Sequence, residues 1–303
     1  MSLFDVGDIV AALHAARDEW RDQQRRTREP GSREFPSREA LAGIVEQLKG
    51  ALFPMRLGPS DLRRESEDFY VGYTIDAALQ SLLTQARLEL LYTSRHDERP
   101  PEDIDQQATA AVREFAAALP GIRRLLDGDV IAAYQGDPAA RSVDEVLLCY
   151  PGILAMIHHR LAHRLYGLGL PLLARIVAEL AHSQTGIDIH PGARIDAGFF
   201  IDHGTGVVIG ETAVIGKRVR IYQAVTLGAK SFPSDLEGNL QKGLPRHPIV
   251  EDDVVIYAGA TILGRVTLGK GATIGGNVWI TDDVPPGASV SQASLQNAPQ
   301  RRA

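Results

Sequence analysis

The feature that most restricts what this chain can fold into is a spacing of six. From Val207, small or aliphatic residues return at Ala213, Val219 and Val225, and a second stripe, Ile209, Ile215, Ile221 and Leu227, runs two residues behind. The period reaches back more loosely through Ile201, Ile195 and Ile189. After an interruption it resumes at Val254, Ala260, Val266, Ala272, Val278 and Val284, accompanied by Ile256, Ile262, Leu268, Ile274 and Ile280. An α-helix repeats at about 3.6 residues and a strand at about 2, so neither generates this pattern. It suits a solenoid whose rungs each make one flat strand and one corner, three rungs closing a triangular coil of about 18 residues. Inward aliphatics then stack into one core, and small residues fit the corners. Gly210, Gly216 and Gly228 follow three members of the second stripe.

Between Leu227 and Ile249 the period lapses. Residues 229–247, AKSFPSDLEGNLQKGLPRH, carry glycines, prolines and charges and no repeat. An excursion this long from a solenoid reads as a functional or a disordered loop, and its ending in Arg246-His247 argues for function.

Glycine marks where the architecture changes: residues 1–185 hold 12 of the 29, and residues 186–290 hold 17 in little more than half the length. The first part reads as helices. Phe4, Val6, Ile9, Val10, Leu13 and Trp20 recur at helical spacing in a helix that ends before Pro30. A second helix starts at the N-cap Ser37 and runs through Leu41, Ile44, Val45, Leu48 and Leu52. A long one covers about 66–94 and another about 102–118, opened by Glu102-Asp103, which suit a positive helix N-terminus. Pro120 is expected to begin a new helical turn toward Tyr134, and two or three further, well-buried helices follow through 142–183. The run Arg21, Arg25, Arg26 and Arg28 reads as a solvated face. The expected organisation is α+β: a helical domain over 1–185, a β-solenoid over 186–290 with its excursion loop 229–247, and a short tail over 291–303.

The 32 Lys+Arg against 38 Asp+Glu leave a net charge of −6, so no global basic field attracts nucleic acid or an anionic membrane. Neither a basic leader nor a long uncharged apolar run is evident, which points to a cytoplasmic protein. The single cysteine, Cys149, excludes an internal disulfide framework and is expected to be a reduced, partly buried thiol.

Chemistry concentrates in a few places. His203, in IDHGTG, falls in phase with Ile209 and Ile215, which puts a titratable ring on or at the edge of an aliphatic stripe; alone, it would more often be structural. Asp188 lies 15 residues earlier, near one coil, so the two fit neighbouring strands where a carboxylate could orient the imidazole of a general base. Arg246-His247 could supply a guanidinium fork for a carboxylate. Asp137, before Pro138, reads by itself as a turn or cap residue.

Together these segments resemble the serine O-acetyltransferases. The run GIDIHPGARIDAGFFIDHGTGVVIGETAVIGKRVRIYQAVTLGA, then RHP and IYAGATILG, follows that family's signature, and GDPAARSVDEVLLCYPGILAMIHHRLAHRLY resembles its helical domain. The resemblance covers about residues 36–288, and the loop and leading segment match a longer type within the family. It implies a left-handed parallel β-helix, although crossovers in parallel sheets are ordinarily right-handed. It also implies acetyl-CoA as co-substrate with no prosthetic group or metal. His203 would be the general base acting on the L-serine hydroxyl, with Asp188 as its carboxylate partner. Arg246 and His247 would hold the serine carboxylate, Asp137 and Asp202 its ammonium, and Glu211 would be a further polar member of the site. Gly228, Ala229, Ala258, Gly259, Gly275 and Gly276 would line an acetyl-CoA groove between subunits, although the same residues suit solenoid corners. The family further implies a homotrimer or dimer of trimers and feedback inhibition by L-cysteine. Docking to cysteine synthase through a terminal isoleucine is not expected of a chain ending in Ala303. The alternatives are an acetyltransferase for homoserine or another hydroxyl, a non-catalytic scaffold, and a zinc carbonic anhydrase on the same repeat. The last is disfavoured because only His190, His203 and His247 stand in the repeat region.

Overall fold

The computed structural model describes residues 6–23, 35–96, 103–231, 238–241 and 243–293. The chain divides into two compact units, residues 1–35 and 36–303. In the first, helix α1 (Gly7–Gln23) leaves Ile9, Val10, Leu13 and Trp20 exposed along its apolar face, and Arg21 is paired with Asp18 at 3.1 Å. Phe4 and the other arginines of the basic run lie outside the described residues.

The second unit opens with α2 (Arg38–Leu52), capped as its sequence predicts: the Ser37 hydroxyl accepts from the Ala40 amide at 3.2 Å. Leu41, Ile44, Val45 and Leu48 are buried. The short α3 (Pro54–Leu57) and a 3-10 turn (Arg64–Ser66) lead into α4 (Glu67–His96), and α5 (Ile104–Gly136) follows. Helix α5 corrects an expectation, because it runs unbroken through Pro120. A proline in a helix interior removes one hydrogen bond and crowds the preceding turn. Here Phe115, Leu119, Ile122 and Leu126 form one buried face on both sides of it, and that packing holds the helix together.

Helices α6 (Val143–Cys149), α7 (Pro151–Gly167) and α8 (Pro171–Thr185) complete the helical part, and the last two are the well-buried ones anticipated from sequence. The Glu89 carboxylate of α4 is buried and accepts from the Leu172 and Leu173 amides at 2.7 and 2.8 Å, capping α8 from another element. Burial raises the pKa of that carboxyl, and the two amides oppose the rise. Cys149 is a free, exposed thiol at the end of α6 rather than a partly buried one. Among the described residues no helix is long and apolar enough to cross a membrane.

From Asp188 the chain winds through three parallel sheets. The first contains β1 (Asp188–Ile189), β4 (Val208–Ile209), β7 (Thr226–Gly228), β10 (Thr261–Leu263) and β13 (Trp279–Ile280). The second contains β2 (Arg194–Ile195), β5 (Val214–Ile215), β8 (Ile249–Val250) and β11 (Thr267–Leu268). The third contains β3 (Phe200–Ile201), β6 (Arg220–Ile221), β9 (Val255–Ile256), β12 (Thr273–Ile274) and β14 (Ser289–Val290). This is the left-handed parallel β-helix of hexapeptide repeats that the resemblance implies. Both aliphatic stripes point inward, from Val207 and Ile209 to Ile280 and Val284. Their core is continuous with that of the helices.

Register locates the irregularities. Val208 pairs with Thr226 and Ile249 with Thr267, one coil being 18 residues. Asp188 pairs with Val208, a step of 20, so two extra residues enter the first coil. They fall between β3 and β4, where His203 stands at φ 59°. Val214 pairs with Ile249, a step of 35, so the excursion adds 17 residues to a coil.

A buried ion pair fastens the helices to the first coil. Asp129 of α5 is fully buried and accepts from Arg160 of α7 at 3.1 and 3.2 Å and from the Phe199 amide at 2.9 Å. Arg160 also donates to the carbonyls of Ile195 and Asp196. Burial pushes the Asp129 carboxyl up to about 6 against the pull of Arg160.

Candidate active site

The polar residues singled out in the sequence gather at two corners of the prism. One corner joins the third sheet to the first, just after β3. His203 is off the inward stripe, because the two-residue insertion swings it outward; its side chain is 71% exposed. Its Nε2 lies 3.8 Å from Asp202 Oδ1. Asp202 is buried, and its other oxygen accepts from Arg220 Nη2 at 2.8 Å. The guanidinium of Arg220 lies over the rings of Phe200 and Tyr222 at 5.0 and 4.7 Å. The helical part brings Asp137 to this corner at the C-cap of α5. Its Oδ2 accepts from the Tyr150 hydroxyl at 2.5 Å and its Oδ1 from the Ala139 amide at 2.8 Å. Asp137 is therefore both the turn residue its Asp-Pro context suggests and part of a charged cluster. Those two donors hold its carboxyl below the usual range, while the same bond pushes the Tyr150 phenol up to about 12.

The other corner joins the first sheet to the second. The excursion returns there, and Arg246 Nη2 donates to Glu211 Oε2 at 2.7 Å, while the Tyr166 hydroxyl of α7 donates to Glu211 Oε1 at 3.0 Å. Burial raises the pKa of the Glu211 carboxyl, but these two donors outweigh it and the net shift is downward. His247 is buried, and its Nδ1 accepts from the Thr212 amide at 3.0 Å. Burial, then the neighbouring Arg246, lowers its pKa to about 4, so the ring is neutral at physiological pH. Gly210 gives this ring room: a Cβ there would lie 2.0 Å from it.

Asp188 lies on β1, on the face between the two corners, in register with Val208 and, through it, Thr226. Within one chain, Asp202 and Asp137 are carboxylates that stand beside His203. The side chains of Asp188, Glu179 and His182 bring ligand atoms within 4.8 Å of one another, and Arg175 engages Glu179 at 2.5 Å. The two corners are separated by one face of the prism, six residues of extended chain or roughly 20 Å. The small residues divide likewise. Gly228 and Ala229 lie at the second corner, whereas Ala258-Gly259 and Gly275-Gly276 follow β9 and β12 along the first. There Gly259 has φ +71° and faces Asn277, and a Cβ on Gly276 would press the Ala258 carbonyl at 3.0 Å.

Sequence reasoning missed Tyr150, Tyr166, Arg220 and Thr212. Arg220 carries a signal in retrospect: it is the residue in register with Phe200 one coil on, and both it and Asp202 alternate with inward isoleucines. Tyr150 carries none, because only the packing of α5 on α7 brings it to Asp137.

The bacterial transferase hexapeptide (six repeats) model matches residues 247–282. A plasmid-encoded serine acetyltransferase of Synechococcus elongatus is 60% identical over 266 residues, 87% of this chain and 83% of that one. The serine acetyltransferase of Mycobacterium tuberculosis is 50% identical over 163 residues, 54% of this chain and 67% of that one. Among solved structures, Entamoeba histolytica serine acetyltransferase 1 in complex with L-cysteine superposes with a TM-score of 0.69 at 38% identity, covering 82% of this chain and 86% of that one. Neisseria gonorrhoeae serine acetyltransferase in complex with serine gives 0.54 at 29% identity, covering 83% and 94%. On this likeness, extending through the helices as well as the solenoid, the chain belongs to the serine acetyltransferase family of acyltransferases.

Proposed function

We propose that the protein transfers the acetyl group of acetyl-CoA to the hydroxyl of L-serine, giving O-acetyl-L-serine for cysteine synthesis, at a site made by two copies of the chain. The observation that carries this reading is the division of the site residues between two corners flanking one face. Copies packed around a threefold axis that the first sheet faces would bring the Asp137–Asp202–His203 corner of one chain against the Glu211–Arg246–His247 corner of the next. Trp279, 64% exposed on the outer side of that sheet, and the exposed Val208 support such packing. In this arrangement Asp188 of one chain orients His203 of its neighbour, so the expected dyad forms across the interface.

A zwitterion suits the combined site. Asp137 and Asp202 take the ammonium; Arg246, with neutral His247, takes the carboxylate. Fixing both ends directs the hydroxyl at His203 and makes the attack effectively intramolecular. The imidazole removes the hydroxyl proton as the serine oxygen attacks the thioester carbonyl. When the tetrahedral intermediate collapses, the C–S bond breaks and the imidazolium returns the proton to the CoA sulfur. The pantetheine arm would run in the groove between subunits, past Gly228-Ala229 of one corner and Ala258-Gly259 and Gly275-Gly276 of the other. The serine and L-cysteine complexes among similar structures support the substrate and suggest L-cysteine as a competing ligand. A cytoplasmic location fits the substrates.

A thiol-release assay with acetyl-CoA and L-serine tests this. Turnover with serine well above that with homoserine, and its loss in His203→Ala, is expected. Equal turnover in the variant would remove the base, and preference for homoserine would change the substrate.

A further inference from the structure

Arg220 stands in none of the roles above, yet it is the cation in direct contact with the acidic corner. Its Nη2 is 2.8 Å from Asp202 Oδ2, and its guanidinium lies over the Phe200 and Tyr222 rings in a partly buried setting. The remaining Asp202 oxygen, Oδ1, is the one 3.8 Å from His203 Nε2. Building on the proposed role of His203 and the two aspartates, we infer that Arg220 is a positioning residue that sets the charge of the serine site. It holds Asp202 with one oxygen directed at His203 and the ammonium, and it cancels one of the two carboxylate charges, leaving one negative charge to meet one ammonium.

The chemistry needs this balance. A carboxylate within about 4–6 Å of an imidazole favours the protonated ring, and a protonated ring cannot accept the serine proton. The groups around His203 are Asp202 from its own segment, Asp137 from the end of α5 and, across the proposed interface, Asp188 of the neighbouring chain; behind the first two stand Arg220 from β6, on Asp202, and Tyr150 from the α6–α7 turn, on Asp137. Tyr150 and Ala139 already engage Asp137 with hydrogen bonds, so Asp202 is the carboxylate whose hold on the ring Arg220 can weaken. Without the guanidinium, Asp202 would be free to pair with the imidazolium instead.

The test is the pH dependence of kcat/KM for L-serine, measured by thiol release for the wild type, Arg220→Gln, Arg220→Lys and His203→Asn, with thermal unfolding of each. For Arg220→Gln the acid limb is expected to move up by about half to one pH unit. Arg220→Lys keeps the charge and should keep the wild-type limb, with serine KM raised a few-fold because ammonium lacks the planar stacking fork. An unmoved limb in Arg220→Gln, with only its unfolding temperature lowered, would reduce Arg220 to a structural strut. Should Arg220→Gln fail to fold, a Lys variant whose limb shifts would overturn the inference, and one whose limb stays while KM rises would support it. The His203→Asn arm separates the two levels: turnover there would sink the reading of the site, whereas an inactive His203→Asn beside an unmoved Arg220→Gln sinks the inference alone.

Discussion

The two charged corners differ in how they are made. The acidic one arises from a two-residue insertion and needs the helical part, because Asp137 comes from the end of α5. The basic one arises from a 17-residue excursion that returns at Arg246, and α7 reaches it through Tyr166 and His163. The coils between and beyond keep the 18-residue step and supply core. Regular repeats here build scaffold; the proposed chemistry sits where the period is broken, one break presenting carboxylates and the other a guanidinium paired with Glu211.

The largest effect should come from the acidic corner. His203→Ala is expected to lower kcat/KM by about 10³–10⁴-fold with little change in KM, as removal of a general base does, measured by thiol release. At the basic corner Arg246→Ala should cost about 10²-fold in kcat/KM, mostly as a raised serine KM. A kcat loss there as large as that of His203→Ala would blur the distinction between base and binding corner.

Stability should also separate the corners. Replacing Arg160 by Met leaves the Asp129 carboxyl buried without its ion-pair partner, which costs about 3–5 kcal/mol, visible as a lower denaturation midpoint. Adding Asp129→Leu should recover part of it. Because this pair fastens α5, the single variant should weaken serine binding through Asp137, whereas a variant with normal serine KM would detach the pair from the acidic corner. The smallest expected effect is a pH slope. The His247 pKa in the fold is about 4, below the ordinary 6.5, so below 6.5 the unfolded chain takes up a proton that the folded chain does not. Its contribution to stability is full above about 6.5 and is lost as pH falls toward 4. His247→Asn keeps an acceptor for Thr212 and should flatten this part of the unfolding-temperature profile.

Much of this was legible beforehand. The two stripes predict the inward core, because a side chain every six residues on a three-sided coil must return to the same face. Ser37 announces α2 through local hydrogen bonding alone. Pro120 misleads because propensity records the lost hydrogen bond but not the buried face on either side of it. The apolar stripe of α1 predicts a helix correctly but not what the stripe faces: its side chains stand exposed. The phase of His203 with Ile209 suggests a ring on the aliphatic stripe or at its edge, and the insertion that turns it outward shows only in the strand register. Residue spacing places Asp188 and His203 on neighbouring strands of one chain, whereas the proposed site divides them between two copies, which a sequence does not announce.

That division is the central claim, and mixed oligomers test it most directly. His203→Ala and Arg246→Ala should each be nearly inactive alone. Co-expressed in equal amounts and purified together, they should recover about a quarter of wild-type turnover, because a quarter of interfaces would join an intact acidic corner to an intact basic one. No recovery in oligomers shown to contain both chains would mean that each site is built within a single chain, and would contradict the account.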